Sequence, residues 1–159
     1  MLYGPNAIQA LSKAVMEKNL KRLLLVTDPG LIEAGLASKV LHTFKTAGMD
    51  IEIYDGVHPN PIEEDVTAGV TAFKSGKFEA LVALGGGSAM DVAKTIRFMA
   101  VHKPPLSQYD DGIGGDKKII HPLPSMYAIP TTAGTGSEGK KTKTPPNDYR
   151  PWTYRNWHS

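Results

Sequence analysis

The chain has 159 residues, 41% of them hydrophobic and 21% charged, with a formal net charge of +2, which predicts one ordinary globular domain with its own core. It contains no cysteine, which excludes disulfides, cysteine-bound zinc and thiol catalysis. No apolar run reaches the roughly 18 residues that span a bilayer, and the first segment, MLYGPNAIQA, lacks the basic and apolar parts of a leader peptide. We therefore expect a cytoplasmic protein without a membrane partner.

Short apolar runs alternate with helical patterns along the chain. In chain order, a helix with its apolar stripe on Ile8, Leu11 and Val15 precedes a strand over 22–27, and a helix on Val40, Leu41 and Phe44 precedes a strand over 51–54. A helix on Val66, Val70 and Phe73 then precedes a strand over 79–84, and a helix on Val92, Ala93, Ile96 and Met99 precedes a strand over 125–130. This alternation predicts an α/β protein with a Rossmann-like parallel sheet flanked by helices, whose ligands bind at the carboxyl ends of the strands.

Three consecutive glycines, 85–87, connect the third predicted strand to the fourth helix. Ser88 stands where a helix N-cap belongs, and Asp91 three residues later completes a capping-box pattern. The glycines either make only a tight turn, or they leave bare backbone amides at a helix N-terminus to receive a phosphate oxygen that a Cβ would obstruct. The pattern matches neither standard phosphate fingerprint, so a second loop has to support the phosphate-binding interpretation.

Two other strand ends carry polar residues. The segment IPTTAGTGSE (129–138) follows the last strand, and its hydroxyls, on Thr131, Thr132, Thr135 and Ser137, can donate to phosphate or ribose oxygens, unless the segment is only a flexible surface loop. Asp28 follows the first strand, where a carboxylate either accepts hydrogen bonds from a ribose diol or caps a turn beside Pro29 and Gly30.

From about Tyr3 to Glu138 the chain resembles the N-terminal, nucleotide-binding domain of the iron-containing (group III) alcohol dehydrogenases. The matching segments are LLLVTDPGL, YDGVHPNP, LVALGGGSAMDVAK and AIPTTAGTGSE, in the family's order and at roughly its spacing. The resemblance implies the dehydroquinate synthase-like N-terminal fold and a nicotinamide dinucleotide as partner. It also implies hydride transfer between an alcohol or aldehyde and that cofactor.

The resemblance assigns cofactor pyrophosphate to one group of residues. The backbone of Gly86, Gly87 and Ser88 would bind the pyrophosphate, and Asp91 and Lys94 would flank it.

A second group is assigned to the rest of the cofactor. Thr131, Thr132 and Ser137 would line its ribose and nicotinamide part, whereas Asn60 and Pro61 would lie beside the adenosine. Asp28 matches the position at which an acidic residue is typical of NAD users and glycine of members that accept NADP. The resemblance therefore favours NAD, with NADP as the other possibility.

The sequence departs from the family after residue 138. We expect 1–138 to form the dinucleotide-binding domain and 139–159 to form a disordered basic tail, because the last 21 residues hold five Lys or Arg against one acidic residue and no Leu, Ile, Val, Met, Ala or Phe. The family's helical domain, which supplies one aspartate and three histidines to Fe(II) or Zn, is expected to be absent. The five histidines here show no metal-binding spacing, so neither a metal ligand nor a catalytic residue is assigned.

Two functions from different classes remain open. The first is a truncated dehydrogenase that retains the NAD-binding half, with weak or no activity alone. The second is a non-catalytic binding module that forms a homo-oligomer through apolar surface left exposed by the missing domain; a concentration-dependent mass would support it. Nucleic acid is not an expected partner, because the basic tail lacks a folded platform for bases.

Overall fold

The computed structural model describes residues 6–109 and 115–132. Within them the helices are α1 (Ala7–Met16), α2 (Pro29–Glu33), α3 (Leu36–Thr46), α4 (Glu63–Ser75) and α5 (Gly87–Met99). The strands are β1 (Arg22–Val26), β2 (Asp50–Tyr54), β3 (Ala80–Gly85) and β4 (Ser125–Pro130), and 3-10 turns cover Leu106–Tyr109 and Gly115–Lys118. The predicted tail, 139–159, and the boundary at residue 138 lie outside the described residues and stay predictions.

The four strands form a parallel sheet in the order β2-β1-β3-β4. Every strand bound lies within one residue of its prediction, and helices pack on both faces of the sheet. The α/β class and the Rossmann-like parallel sheet flanked by helices are therefore confirmed. In the described part of the chain, no helix is long and apolar enough to cross a membrane.

The sheet is buried on both faces, which explains why its strands read as continuous apolar runs. Leu24 and Val26 of β1 pack in the cluster that contains α4 and α5, whereas Leu23 and Leu25 pack in the cluster that contains α1 and α3. All of β3 is buried. The two central strands thus hold α5 and the glycine turn before it in a fixed position.

The carboxyl ends of the strands meet at one edge of the sheet. Val26 at the end of β1 pairs with Ala83 of β3, and Gly85 at the end of β3 pairs with Pro130 of β4. The loops that follow β1, β3 and β4 therefore begin side by side, as the ligand-binding edge of a doubly wound sheet requires.

At the opposite edge, Glu79 connects the starts of two strands. Its carboxylate accepts hydrogen bonds from the backbone amides of Lys21 at 2.6 Å and Arg22 at 3.0 Å. These hydrogen bonds, the Arg22 one first, lower the pKa of the Glu79 carboxyl. The contact holds the start of β1 in register with β3.

Candidate cofactor-binding site

The chain turns from β3 into α5 at Gly85 and Gly86, and a side chain at either position would lie close to a neighbouring side chain. Gly85 has φ +150°, and a Cβ on it would lie 2.7 Å from Ala89 Cβ, closer than two such atoms pack. Gly86 has an ordinary φ of −87°, but a Cβ there would lie 3.1 Å from Thr132 Oγ1. The turn is therefore bare backbone on the side that faces the loop after β4.

The predicted capping box of Ser88 and Asp91 is wrong. β3 extends to Gly85, so α5 begins at Gly87 with Gly86 as its N-cap, and Ser88 lies inside the first turn. Ser88 Oγ donates instead to the Pro59 carbonyl at 2.8 Å. Because Gly86 has no side chain and the first turn has no acidic residue, the first amides of α5 have neither a capping side chain at Gly86 nor a partner within the helix.

Asp91 and Lys94 lie in the next turns of α5. Lys94 Nζ is 3.6 Å from Asp91 Oδ1, and both side chains are largely buried. The Asp91 carbonyl accepts a hydrogen bond from Thr95 Oγ1 at 2.8 Å. This pair is an i,i+3 contact along the helix, and its predicted place beside the pyrophosphate stays a prediction.

The loop after β4 lies directly against the glycine turn. The Thr131 amide donates to the Gly85 carbonyl at 3.0 Å, and the Thr132 hydroxyl is the nearest group to the vacant Cβ position of Gly86. Thr131 and Thr132 are both exposed. The structure thus brings these threonines to the turn, whereas Thr135 and Ser137 lie outside the described residues.

Asp28 performs the capping role that sequence reasoning left open and also faces the turn. Its Oδ1 accepts from the Leu31 amide at 3.2 Å, so Asp28 is the N-cap of α2, a helix too short to show an apolar stripe. Its Oδ2 is 3.5 Å from the position that a Cβ on Gly85 would take. Asp28, the glycine turn and Thr132 therefore meet at one end of the sheet.

Asn60 and Pro61 lie in the loop 55–62, which approaches the same helix end. Asn60 is exposed and Pro61 is partly buried, and the Pro59 carbonyl contacts Ser88 as described above. This contact brings the loop beside the first turn of α5, and the place of Asn60 and Pro61 beside the adenosine stays a prediction.

Sequence reasoning missed the residue that holds this loop. Asp65 is 3% exposed and accepts hydrogen bonds from the His58 amide at 3.2 Å and the Ile62 amide at 3.3 Å. Tyr54 Oη donates to the Asp65 carbonyl at 2.5 Å; burial raises the pKa of Tyr54, and the carboxylates of Asp65 and Asp55 raise it further. An acidic residue at the third position of a helix was the available signal.

A groove of about 630 Å³ lies between α4 and the 3-10 turn at Leu106–Tyr109. Of the predicted site residues, its lining includes Pro61 alone. The candidate site is the place at which Asp28, Gly86 and Thr132 meet. No group of three or more metal-ligating side chains lies within 6–109 and 115–132, and the described residues therefore form no site for Fe(II) or Zn.

The fold places the chain among the α/β proteins with a Rossmann-like parallel sheet. Residues 1–143 match the family model for iron-containing alcohol dehydrogenase. The chain belongs to the iron-containing alcohol dehydrogenase family, which confirms the resemblance.

Relatives of this family match the chain over the same region. It is 40% identical to the 1,3-propanediol dehydrogenase of Klebsiella pneumoniae over 138 residues, which are 86% of this chain and 35% of the relative. It is 39% identical to the choline dehydrogenase of Bacillus subtilis over 136 residues, 86% of this chain and 34% of the relative. The chain thus spans about a third of the length of these relatives.

Solved structures likewise match most of this chain and about a third of their own length. A crystal structure of 1,3-propanediol oxidoreductase superposes with a TM-score of 0.77 at 38% identity, covering 86% of this chain and 35% of that one. The sulfoacetaldehyde reductase of Bifidobacterium kashiwanohense, solved in complex with NAD+, superposes with a TM-score of 0.71 at 27% identity over 86% of this chain and 35% of that one.

Proposed function

We propose that this chain binds NAD(H) as the nucleotide-binding part of an iron-type alcohol dehydrogenase. The observation that carries the proposal is the meeting of Asp28, the glycine turn and Thr132 at the carboxyl edge of the sheet. Doubly wound sheets bind dinucleotides at this edge. The family's solved NAD+ complex supports the choice of cofactor.

The pyrophosphate is proposed to bind at Gly86, Gly87 and Ser88. The first amides of α5 point out of the helix without a partner in it, and the helix dipole favours an anion there by about 0.3–1 kcal/mol. A ligand oxygen can approach these amides because Gly86 has no Cβ, and the Thr132 hydroxyl beside Gly86 can donate to it. The described residues therefore fit a phosphate group.

The remaining assignments follow the family resemblance. Thr131 and Ser137 are proposed to face the ribose and nicotinamide, Asn60 and Pro61 the adenosine, and Asp91 and Lys94 the flank of the pyrophosphate. The nicotinamide ring supplies the position that accepts or gives up hydride. What this chain itself does is to bind and orient that group.

Asp28 is proposed to select NAD(H) over NADP(H). Its carboxylate can accept from a ribose diol and repels a 2'-phosphate, and one of its oxygens lies towards Gly85. Asparagine in its place keeps the N-cap, because Asn and Asp cap helices about equally well, and removes the charge. The variant therefore isolates electrostatics from folding.

Calorimetric titration of the purified chain with NADH and NADPH tests this proposal. We expect micromolar NADH binding and weaker NADPH binding, and we expect Asp28→Asn to strengthen NADPH binding about tenfold, which is ~1.4 kcal/mol. Glu33→Gln removes the same charge at the exposed end of α2 and should leave the preference unchanged. If the unaltered chain bound neither nucleotide, the proposed function would be contradicted. If Asp28→Asn and Glu33→Gln changed NADPH binding equally, only the proposed role of Asp28 would be contradicted.

We further propose that the 159-residue chain has weak or no dehydrogenase turnover by itself. The resemblance places the metal ligands of the family beyond the third of the relatives that this chain matches. Loss of such charge stabilisation costs several kcal/mol, and each ~1.4 kcal/mol is about tenfold in rate. NADH formation should therefore stay at background with Fe(II) or Zn and with 1,3-propanediol, 4-hydroxybutyrate or methanol, the substrates in the relatives' names. Metal-dependent turnover by the purified chain would contradict this.

The alternative, a homo-oligomerising binding module, stays a prediction, as does the cytoplasmic location. No observation in the described residues favours that alternative over NAD(H) binding.

A further inference from the structure

Asp65 holds the loop 55–62 through its buried carboxylate. Oδ2 accepts from the amides of His58 and Ile62, at 3.2 and 3.3 Å, and Oδ1 lies 2.7 Å from His58 Nδ1. Because Pro59 and Pro61 have no amide hydrogen, the only backbone donors in 58–62 are those of His58, Asn60 and Ile62. One carboxylate thus holds two of these three donors, one on each side of the prolines.

The loop held in this way contacts the proposed pyrophosphate site. The carbonyl of Pro59, next to His58, accepts from Ser88 Oγ at 2.8 Å, and Ser88 is the second residue of α5. A serine hydroxyl near a helix end otherwise competes for local backbone groups. The Pro59 carbonyl therefore keeps the Ser88 hydroxyl away from the first amides of its own helix.

We propose that Asp65 is a positioning residue for the pyrophosphate-binding turn, acting through Pro59 and Ser88. This inference rests on the proposed NAD(H) binding and adds a residue that does not touch the cofactor. Loss of the Asp65 carboxylate releases the amides of His58 and Ile62, on both sides of Pro59. The Pro59 carbonyl then no longer accepts the hydrogen bond from Ser88. The first turn of α5 then loses its hydrogen bond to the loop 55–62.

NADH titration of single and double variants tests this coupling. We expect Asp65→Ala, which removes both carboxylate oxygens, to weaken NADH binding about fivefold, within the range for residues coupled to a site without contacting the ligand. In a Ser88→Ala background the same change should have no further effect, because the contact through which Asp65 acts is already gone. Glu64→Gln, an exposed neighbouring carboxylate in the first turn of α4, should leave affinity unchanged. Effects of Asp65→Ala and Ser88→Ala that multiply, or unaltered binding by Asp65→Ala, would overturn the proposal.

A second variant and a second measurement separate positioning from folding and from the proposed function. His58→Ala removes only the contact to Oδ1 from a side chain that is 65% exposed, and it should give a smaller loss that Ser88→Ala also abolishes. In amide NMR spectra of the chain without cofactor, Asp65→Ala and His58→Ala should shift the signals of residues 86–89. Shifts confined to residues 54–66 would overturn this inference, whether or not the unaltered chain binds NADH. Failure of the unaltered chain to bind NADH would instead contradict the proposed function.

Discussion

Valine at position 86 is expected to abolish NADH binding and to leave the fold intact. Gly86 has φ −87°, a value that any residue adopts, so the backbone tolerates the change. A side chain there would instead take up the space beside the first amides of α5 that the pyrophosphate is proposed to occupy, and its Cβ would lie 3.1 Å from Thr132 Oγ1. We expect the affinity for NADH to fall at least about 100-fold, which is ~2.7 kcal/mol.

Calorimetry and urea unfolding together check this result. Gly86→Ala should give an intermediate loss of affinity, because a methyl group takes up less space beside the first amides of α5 than the valine side chain. Ala68→Val adds the same branched side chain at an exposed position of α4 and should leave NADH binding unchanged. Full affinity in Gly86→Val would show that the cofactor does not approach this turn.

The neighbouring glycine is expected to matter for stability rather than for the ligand. Alanine at position 85 should lower the free energy of unfolding by about 2–4 kcal/mol, because the φ of +150° disfavours a side chain and the new Cβ would lie 2.7 Å from Ala89 Cβ. Such a loss is a large part of the total of about 5–15 kcal/mol for a typical domain. The matched change Gly86→Ala should cost under about 1 kcal/mol.

A double variant separates the two causes. Ala89→Gly removes the atom that the new Cβ would meet, so Gly85→Ala should lower the free energy of unfolding by less in that background. Ala89→Gly itself should cost about 1 kcal/mol, because it places glycine inside a helix. The cost that remains is then the backbone strain at Gly85. Equal costs for Gly85→Ala and Gly86→Ala, measured by urea unfolding, would contradict the assignment of Gly85 as the strained position.

The sequence was sufficient for the sheet and for the family. Because β1 and β3 are buried on both faces, their residues form continuous apolar runs, and these predicted the strands to within one residue. The glycines at 85–87 and the segment 129–138 were predicted to contribute to a phosphate site, because turns with bare backbone and hydroxyl-rich loops are local features. Four motifs in the family's order then sufficed for its recognition.

Tertiary structure alone decided which side chains meet. Ser88 was expected to cap its own helix, but the position of the loop 55–62 gives its hydroxyl the Pro59 carbonyl instead, and β3 runs one residue further than the pattern indicated. The third helical position of Asp65 indicated a contact at its own helix end, but its contact with His58 depends on the path of the loop 55–62. Thr132 meets Gly86 because β4 pairs beside β3 in one register. Local patterns determine helix and strand, because they depend on neighbours along the chain, whereas the site depends on strand order and register, which only packing of the whole sheet determines.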